Sequence, residues 1–476
     1  MRTLDKDAIM HERPRPGLSI TRRSLLWAGP PLAVGAIAVG VLLLRHNRTP
    51  LNHVLLISID TLRADHLGYA GYGRETSPAI DRLAAQSQAF GNAFAQASST
   101  LPSHASMFTS LYPSVHGAES KSRTPLSDDF VTLAEIFRDN GFRTGAFVEG
   151  GQLAALWNLD QGFEVYDVTA STGVMGEVWT ADDLAGILAK ATAWIQEHRH
   201  EPFFCFVHSY VVHMPYEPRP PYDTMFDEAY DGPLPRKFTY ELRDRFDPRS
   251  VFPDNPDVRH VTALYDGEIR YMDELMGEFL QRLDELGLAD DTVVVFTSDH
   301  GEEFAEHGRI AQHTETLFDE LLHVPLLIRV PGRKPRVIKR QVRLIDLPPT
   351  LLALMNVDPG EVPFEGINVL ADGPDVNDDL PVFSELVYPE RHWASLRVDG
   401  HKLLAYSPQR YALYDLRADP GEQVDVFDWQ SDGVAEWLKM LQHIMSENRV
   451  NRSQVAAPVE LQAEVQEQLR ALGYVD

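Results

Sequence analysis

Between Ala97 and Gly117 the chain reads ASSTLPSHASMFTSLYPSVHG. Its centre, Thr100-Leu101-Pro102-Ser103-His104, sets a hydroxyl just ahead of a run of small and apolar residues with helical character, which puts that hydroxyl at a helix N-terminus. Unpaired backbone N–H groups and the positive end of the dipole favour an anion there. An oxygen nucleophile beside an anion cradle points to transfer of a phosphoryl or sulfuryl group. Taken alone, the stretch also reads as a Pro-started, Ser-capped core helix, and the other segments decide.

Two strand ends carry metal-ligand chemistry. His53 to Ile59, HVLLISI, is a continuous apolar run and reads as a central strand covered on both faces; it ends in Asp60. Ligand groups gather beyond the carboxyl ends of strands in open α/β sheets, so Asp60 is a candidate ligand, the alternative being a cap for the next turn. Farther on, the β-branched run Val293 to Thr297 leads into Ser298-Asp299-His300-Gly301. Asp60, Thr100, Asp299 and His300 make a plausible shell for one divalent cation, Zn²⁺ or Mn²⁺ favoured and Ca²⁺ or Mg²⁺ possible, calcium suiting an imidazole less well. Glu302, Glu303, Glu306 and His307 follow closely and are further candidates for that shell, although closely spaced acids after a turn read first as a solvated helix start. His213 lies past the apolar run Pro202 to Val212 and just before Pro215, and with His313 it is a rim candidate. Each of these two histidines taken singly also reads as structural.

The elements that must hold these residues alternate. Pro78 to Phe90, Thr132 to Asn140, Trp179 to His198, Val261 to Leu286 and Asp346 to Leu354 have helical spacing, while Arg143 to Val148 and Val324 to Val330 read as buried strands. The pattern predicts an α/β fold with a large, mostly parallel sheet flanked by helices. Pro218 to Pro256 is Pro-rich and acidic, a long surface loop placed to wall a cleft. Leu62 to Tyr72 reads as a loop. After the acidic stretch Asp372 to Asp379, Trp393 to Val398, His401 to Tyr406 and Tyr411 to Tyr414 read as a small antiparallel sheet, followed by helices at Trp437 to Met445 and Val459 to Leu472. For Arg391 and His392 an ordinary place on the surface is the favoured reading, the alternative being that one of them reaches the cleft. The predicted division is a catalytic domain over 53–372 and a smaller α+β subdomain over 373–476.

The chain has 476 residues and a formal net charge of -27, which argues against a nucleic-acid partner because phosphate backbones demand clustered Lys and Arg. A single cysteine, Cys205, excludes an internal disulfide framework and a Cys-rich metal site. Arg2, Lys6, Arg13, Arg15, Arg22 and Arg23 precede an uncharged run from Ser24 to Leu44, long enough to span a bilayer. The basic excess ahead of it predicts a cytoplasmic segment 1–23, a membrane anchor 24–44, a linker 45–52 and an exported catalytic domain on the periplasmic side. Thr21-Arg22-Arg23-Ser24-Leu25-Leu26 also looks like a twin-arginine signal. Ala36-Ile37-Ala38 is buried within the apolar run as a cleavage site, so a retained anchor is favoured over a removed peptide.

These landmarks together resemble the sulfatase family of the alkaline phosphatase superfamily. The resemblance rests on ISIDTLRADHLGYAGY, SSTLPSHASMFTSLYPSVHG, FVHSYVVHMPYEP, TSDHGEEFAEHG with HTETLFDELLHVPLLIRVPG, IDLPPTLLALMNV and YALYDLRADPGEQVDVF, in the family's order from His53 onward. It implies a divalent cation on Asp60, Asp299 and His300, a nucleophile at Thr100, and His104, His213 and His313 lining the pocket around the transferred group or the leaving oxygen. The chain departs from the family where sulfatases carry the Cys or Ser that becomes formylglycine: Thr100 cannot undergo that conversion. It also has His104 in place of the usual Arg, and Asp60-Thr61 in place of two Asp. A Thr nucleophile with an Asp-His pair resembles the phospho-transferring branches of the superfamily. Two-metal phosphodiesterases have a carboxylate where this chain has Ser209, so one metal is expected.

The reading is therefore a metal-dependent hydrolase of sulfate or phosphate esters acting through a covalent Thr100 intermediate, with phosphodiesters slightly preferred. Its substrate would be an anionic ester of a glycan, lipid or small molecule. The alternatives are a transferase moving a phospho-headgroup onto an envelope lipid or glycan, and an inactive anion-binding module.

Overall fold

The computed structural model describes residues 50–169, 181–247, 251–371, 380–450, 455–461 and 463–472. The candidate anchor 24–44 and the candidate boundary 372–379 lie outside them. Among the described residues no helix is long and apolar enough to cross a membrane.

Eight strands form the main sheet: β1 (His53–Ile59), β2 (Gln88–Phe94), β3 (Arg143–Glu149), β4 (Val165–Thr169), β5 (Phe203–Ser209), β6 (Thr292–Thr297), β7 (His323–Arg329) and β8 (Arg336–Arg343), in the order β4-β3-β5-β1-β6-β7-β2-β8. β1 lies between β5 and β6, parallel to both. Every residue of β1, β5 and β6 is buried, as strands covered on both faces require. Along β1, Val54 and Leu56 enter one apolar layer, while Leu55, Ile57 and Ile59 enter the other. That alternation places Ser58 and Asp60 on the same face as Val54 and Leu56. The first layer contains residues of the Thr100–Thr109 and Leu347–Leu354 helices; the second contains residues of the Ala181–His198 and Pro256–Glu285 helices.

β7 departs from the parallel expectation, running antiparallel to both β6 and β2. The single helix expected over Pro78 to Phe90 is instead a helix over Pro78–Ala84 followed by β2. Ile80, Leu83 and Ala84 do fall on one buried face, but Phe90 is held in the sheet opposite Leu326 and Ile338. The expected helix over Thr132 to Asn140 is found at Leu133–Asp139, with Thr132 and Glu135 closing a reciprocal capping box.

A second sheet, β12-β11-β10-β9, is built from β9 (Val382–Tyr388), β10 (Arg391–Val398), β11 (His401–Ser407) and β12 (Arg410–Asp415), all antiparallel. β9, not foreseen from sequence, ties this sheet to the chain just before the Thr100 helix. Ser384 Oγ donates to the Ala95 carbonyl at 2.6 Å, and the Glu385 N–H donates to the Gln96 carbonyl at 2.9 Å. Both sheets belong to one compact unit, Thr49–Asp476.

Candidate active site

Asp60 follows the last residue of β1, and Asp299 and His300 follow β6 one residue later. Because β1 and β6 are parallel neighbours, two segments distant in sequence end side by side. Ligand atoms of Asp60, Asp299 and His300 lie within 4.8 Å of one another, and all three residues are fully buried. Asp60 Oδ1 and Asp299 Oδ2 have no hydrogen-bond partner. His300 Nδ1 lies 2.9 Å from the Gly301 carbonyl; a carbonyl can only accept, so Nδ1 carries the proton and Nε2 presents its lone pair. Two carboxylates and one imidazole nitrogen fit a divalent cation of the Zn²⁺ or Mn²⁺ type.

Thr100 opens the Thr100–Thr109 helix and is fully buried. Its Oγ1 donates to Asp60 Oδ2 at 3.1 Å and lies 3.4 Å from His300 Nε2. The helix is fastened from below: Ser103 Oγ donates to the Asp299 carbonyl at 2.7 Å, and Leu62 N–H donates to Ser298 Oγ at 3.0 Å, locking the chain after β1 to the loop after β6. The expected Ser cap is not formed, since Ser99 makes no side-chain capping bond. The Leu101 N–H donates instead to Gln152 Oε1 at 2.9 Å.

The charges are tightly interdependent. Burial and the neighbouring Asp299 carboxylate push the Asp60 carboxyl well above its ordinary value. Burial works against Asp299 too, but His300, His104 and His208 outweigh it and hold that carboxyl low. For His300, burial is outweighed by Asp299 and Asp60, so its value is raised. Excess negative charge at this spot is what a bound cation relieves.

His213 and His313 meet above the cluster, with ring centres 4.9 Å apart, and His313 is 4.7 Å from the His300 ring. Both line a cavity of about 410 Å³ together with Lys121, Tyr240, Arg243 and Arg309. Burial and then His313 lower His213 to about 3, and burial and then His300 hold His313 well below its ordinary value. His104 does not line that cavity. It belongs to the Thr100–Thr109 helix itself and is fully buried, with Nδ1 2.9 Å from the Thr100 carbonyl and Nε2 3.1 Å from Ser58 Oγ.

The acids after Gly301 are not a solvated helix start: no helix forms there, and Glu302 and Glu303 are fully buried. Glu302 receives Tyr216 Oη at 3.2 Å and pairs with His313 Nδ1 at 3.0 Å, which orients that ring. Pro218 to Pro256 does wall the cleft, through Tyr240 and Arg243 of a short helical turn. Arg391 reaches Glu315 at the cavity edge with a 2.8 Å hydrogen bond, while His392 pairs with Glu385 away from it. His208 was not foreseen. It is fully buried, neither ring nitrogen has a hydrogen-bond partner, and Nε2 lies 3.6 Å from Asp60 Oδ2. Its signal was an imidazole directly after the apolar run PFFCFV, inside the strand FFCFVHS.

The profile of the family described as Sulfatase matches residues 52–357. Human iduronate 2-sulfatase is 27% identical over 464 residues, an alignment covering 84% of this chain and 81% of that protein. A multifunctional alkaline phosphatase superfamily protein of Trinickia caryophylli is 24% identical, covering 78% of this chain and 90% of the relative. Among solved structures, the phosphonate monoester hydrolase of Agrobacterium radiobacter superposes with a TM-score of 0.66 at 22% identity, covering 87% of this chain and 98% of that one.

Proposed function

The chain belongs to the sulfatase family as an ester hydrolase, and from that premise we propose that it cleaves sulfate or phosphate esters through an ester of Thr100, phosphodiesters being preferred. One observation carries the reading: the Thr100 hydroxyl, at the start of a helix, is within reach of both Asp60 and His300. A divalent cation held by Asp60, Asp299 and His300 would supply the charge that acidifies this hydroxyl and polarises the ester.

Asp60 Oδ2 is the acceptor for the Thr100 proton. Thr100 Oγ1 bonds to phosphorus or sulfur as the bond to the leaving oxygen breaks. The leaving oxygen keeps that electron pair and takes a proton from His213 or His313. An anionic substrate beside these two rings raises both values and so favours the charged form of the one that gives the proton. Water then attacks the same centre and gives a proton to the discharged histidine as the bond to Thr100 Oγ1 breaks; Asp60 returns its proton to that oxygen, restoring the Thr100 hydroxyl and releasing the product anion. His104, bonded to the Thr100 carbonyl and Ser58, keeps the helix start in place.

Threonine rather than a formylglycine precursor at position 100 supports phosphorus chemistry. Lys121, Arg243 and Arg309 around the cavity suit an anionic glycan, lipid or small molecule. We further propose that residues 24–44 anchor the chain in the cytoplasmic membrane with the catalytic unit outside, supported by the basic residues ahead of that apolar run.

Purified protein loaded with Mn²⁺ or Zn²⁺ tests the reading against aryl sulfate, phosphate monoester, phosphodiester and phosphonate ester, beside Thr100→Ala. Fastest turnover of the phosphodiester supports it; fastest turnover of the sulfate overturns the phosphorus preference. Product analysis with an added alcohol distinguishes hydrolysis from transfer. A reporter active only outside the cytoplasm, fused after Asp476, tests the topology.

A further inference from the structure

The Thr100–Thr109 helix is closed by a residue from elsewhere. The peptide N–H just after Thr100, that of Leu101, donates to Gln152 Oε1 at 2.9 Å. Since an N–H requires an acceptor, this bond also fixes which end of the Gln152 amide is oxygen. Gln152 is fully buried in the turn after β3, and its own N–H donates to Tyr210 Oη at 3.0 Å. On the other side, the Gly151 N–H donates to Gln468 Oε1 of the Ala463–Ala471 helix at 2.8 Å.

The last helix packs closely against that turn. A Cβ on Gly150 would lie 2.4 Å from Gln468 Oε1, and one on Gly151, whose φ is +61°, would lie 2.5 Å from Leu472 Cδ1. Leu472 itself lines the cavity above the histidines. The last helix therefore clamps the turn that carries Gln152.

With its oxygen committed to Leu101, Gln152 retains a buried Nε2 that has no hydrogen-bond partner. Native interiors rarely leave an amide donor in that state unless a ligand or water takes it. This donor stands beside the nucleophile's own peptide, at the positive end of a ten-residue helix. Resting on Thr100 as the nucleophile, we infer that Gln152 is a catalytic residue: its Nε2 donates a hydrogen bond to an oxygen of the anionic group passing to Thr100 Oγ1. The bond strengthens as charge builds on that oxygen, so it acts mainly on turnover.

Gln152→Glu keeps the acceptor for Leu101 but exchanges the donor for a carboxylate; Gln152→Met removes both. Both are compared with Thr100→Ala in the full-length, Mn²⁺-loaded protein, using bis(p-nitrophenyl) phosphate and p-nitrophenyl sulfate for turnover and orthovanadate for binding. Loss of a donor of this kind lowers kcat by about 10²-fold. Vanadate affinity should fall with it, while KM and bound metal change little. As pH drops and the introduced carboxyl protonates, its O–H restores a donor, so the deficit of Gln152→Glu should narrow while that of Gln152→Met stays flat. A merely structural cap gives the opposite pattern, with Gln152→Glu behaving like wild type throughout, and that result overturns the inference. Should Gln152→Met not fold, a crystal structure of the wild-type vanadate complex decides: Nε2 within about 3.2 Å of a vanadate oxygen supports the role, and Nε2 turned to water or protein alone refutes it. Full activity of Thr100→Ala would instead remove the nucleophile reading itself, whatever Gln152 does.

Discussion

Thr100 Oγ1 donates to Asp60 Oδ2 across 3.1 Å, joining a helix start to the tip of the central strand. The bond favours the ionised carboxylate, against the burial and Asp299 that push its value up, and leaves the hydroxyl 3.4 Å from His300 Nε2. Replacing Thr100 by Ser retains this oxygen, whereas Ala removes it. Thr100→Ser should keep measurable turnover of a phosphodiester, and Thr100→Ala should lose it by about 10³-fold or more. Mass spectrometry of enzyme quenched during turnover should find the added group on the peptide containing Thr100, and on no peptide of the Ala variant.

Asp60 and Asp299 set two buried carboxylates against each other, and the cost falls on Asp60, whose value is pushed up by burial and by Asp299. Asp60→Asn relieves that repulsion while removing a charged ligand. The metal-free variant should melt above the metal-free wild type, each kcal/mol of relief raising Tm by only about 1 °C in a unit of this size. Added Mn²⁺ or Zn²⁺ should then reverse the order. A wild-type protein at about 100 times its Kd for the metal gains about 2.7 kcal/mol, and the variant gains much less. Thermal melts with and without EDTA read both halves. A variant less stable than wild type in EDTA would contradict the charge argument.

Those two strand ends were legible because an apolar run that stops abruptly at an acid has few readings, and Asp60, Asp299 and His300 all sit at such stops. The antiparallel course of β7 was not legible: direction is set by which neighbours a strand meets, and HVPLLIR is an apolar run much like those of the parallel strands β1 and β6. Glu302 and Glu303 were misread for a related reason. Charge density along the chain suggests solvent, but Tyr216, His313 and Thr316 from other segments cover and bond these two acids. Gln152 shows the limit most clearly, because it caps a helix through Leu101, 51 residues earlier in the chain, and no local pattern encodes a distant cap.

Glu303 carries a pH dependence that can be read without substrate. Burial raises its carboxyl from 4.5 to about 8, against the partial relief of Arg309 and of the Thr316 hydroxyl, which donates to Oε1 at 2.9 Å. A carboxyl whose folded value exceeds its unfolded one is held protonated by the fold, so this group's contribution to stability falls as pH rises from about 4.5 through about 8. Glu303→Gln keeps an acceptor for Thr316 and removes the titration. Its Tm relative to wild type should rise steadily over that window, most at pH 8 and above. A Tm difference independent of pH would show that Glu303 is already ionised in the folded protein.

Gly301 follows the metal-site histidine directly, and there is no space for a side chain on it. An added Cβ would lie 2.0 Å from the Glu320 carbonyl oxygen and 3.1 Å from Arg63 Cγ. Arg63 is a long side chain that can yield; the backbone oxygen cannot move cheaply. The residue is further held by its N–H, which donates to the Leu321 carbonyl at 2.8 Å, and its own carbonyl is the acceptor that fixes His300 Nδ1. Displacing this peptide therefore rotates the imidazole that faces Thr100. Gly301→Ala should lower Tm and weaken metal binding by about 10- to 100-fold, the usual effect of losing the group that orients a ligating histidine. Gly186 is the matched control: it lies exposed in the Ala181–His198 helix with nothing within 4 Å of a new Cβ. There alanine should stabilise by about 0.5–1 kcal/mol and leave metal affinity unchanged. Calorimetry of Mn²⁺ or Zn²⁺ binding beside thermal melts compares the two, and equal metal affinities would mean that the Gly301 carbonyl does not govern His300.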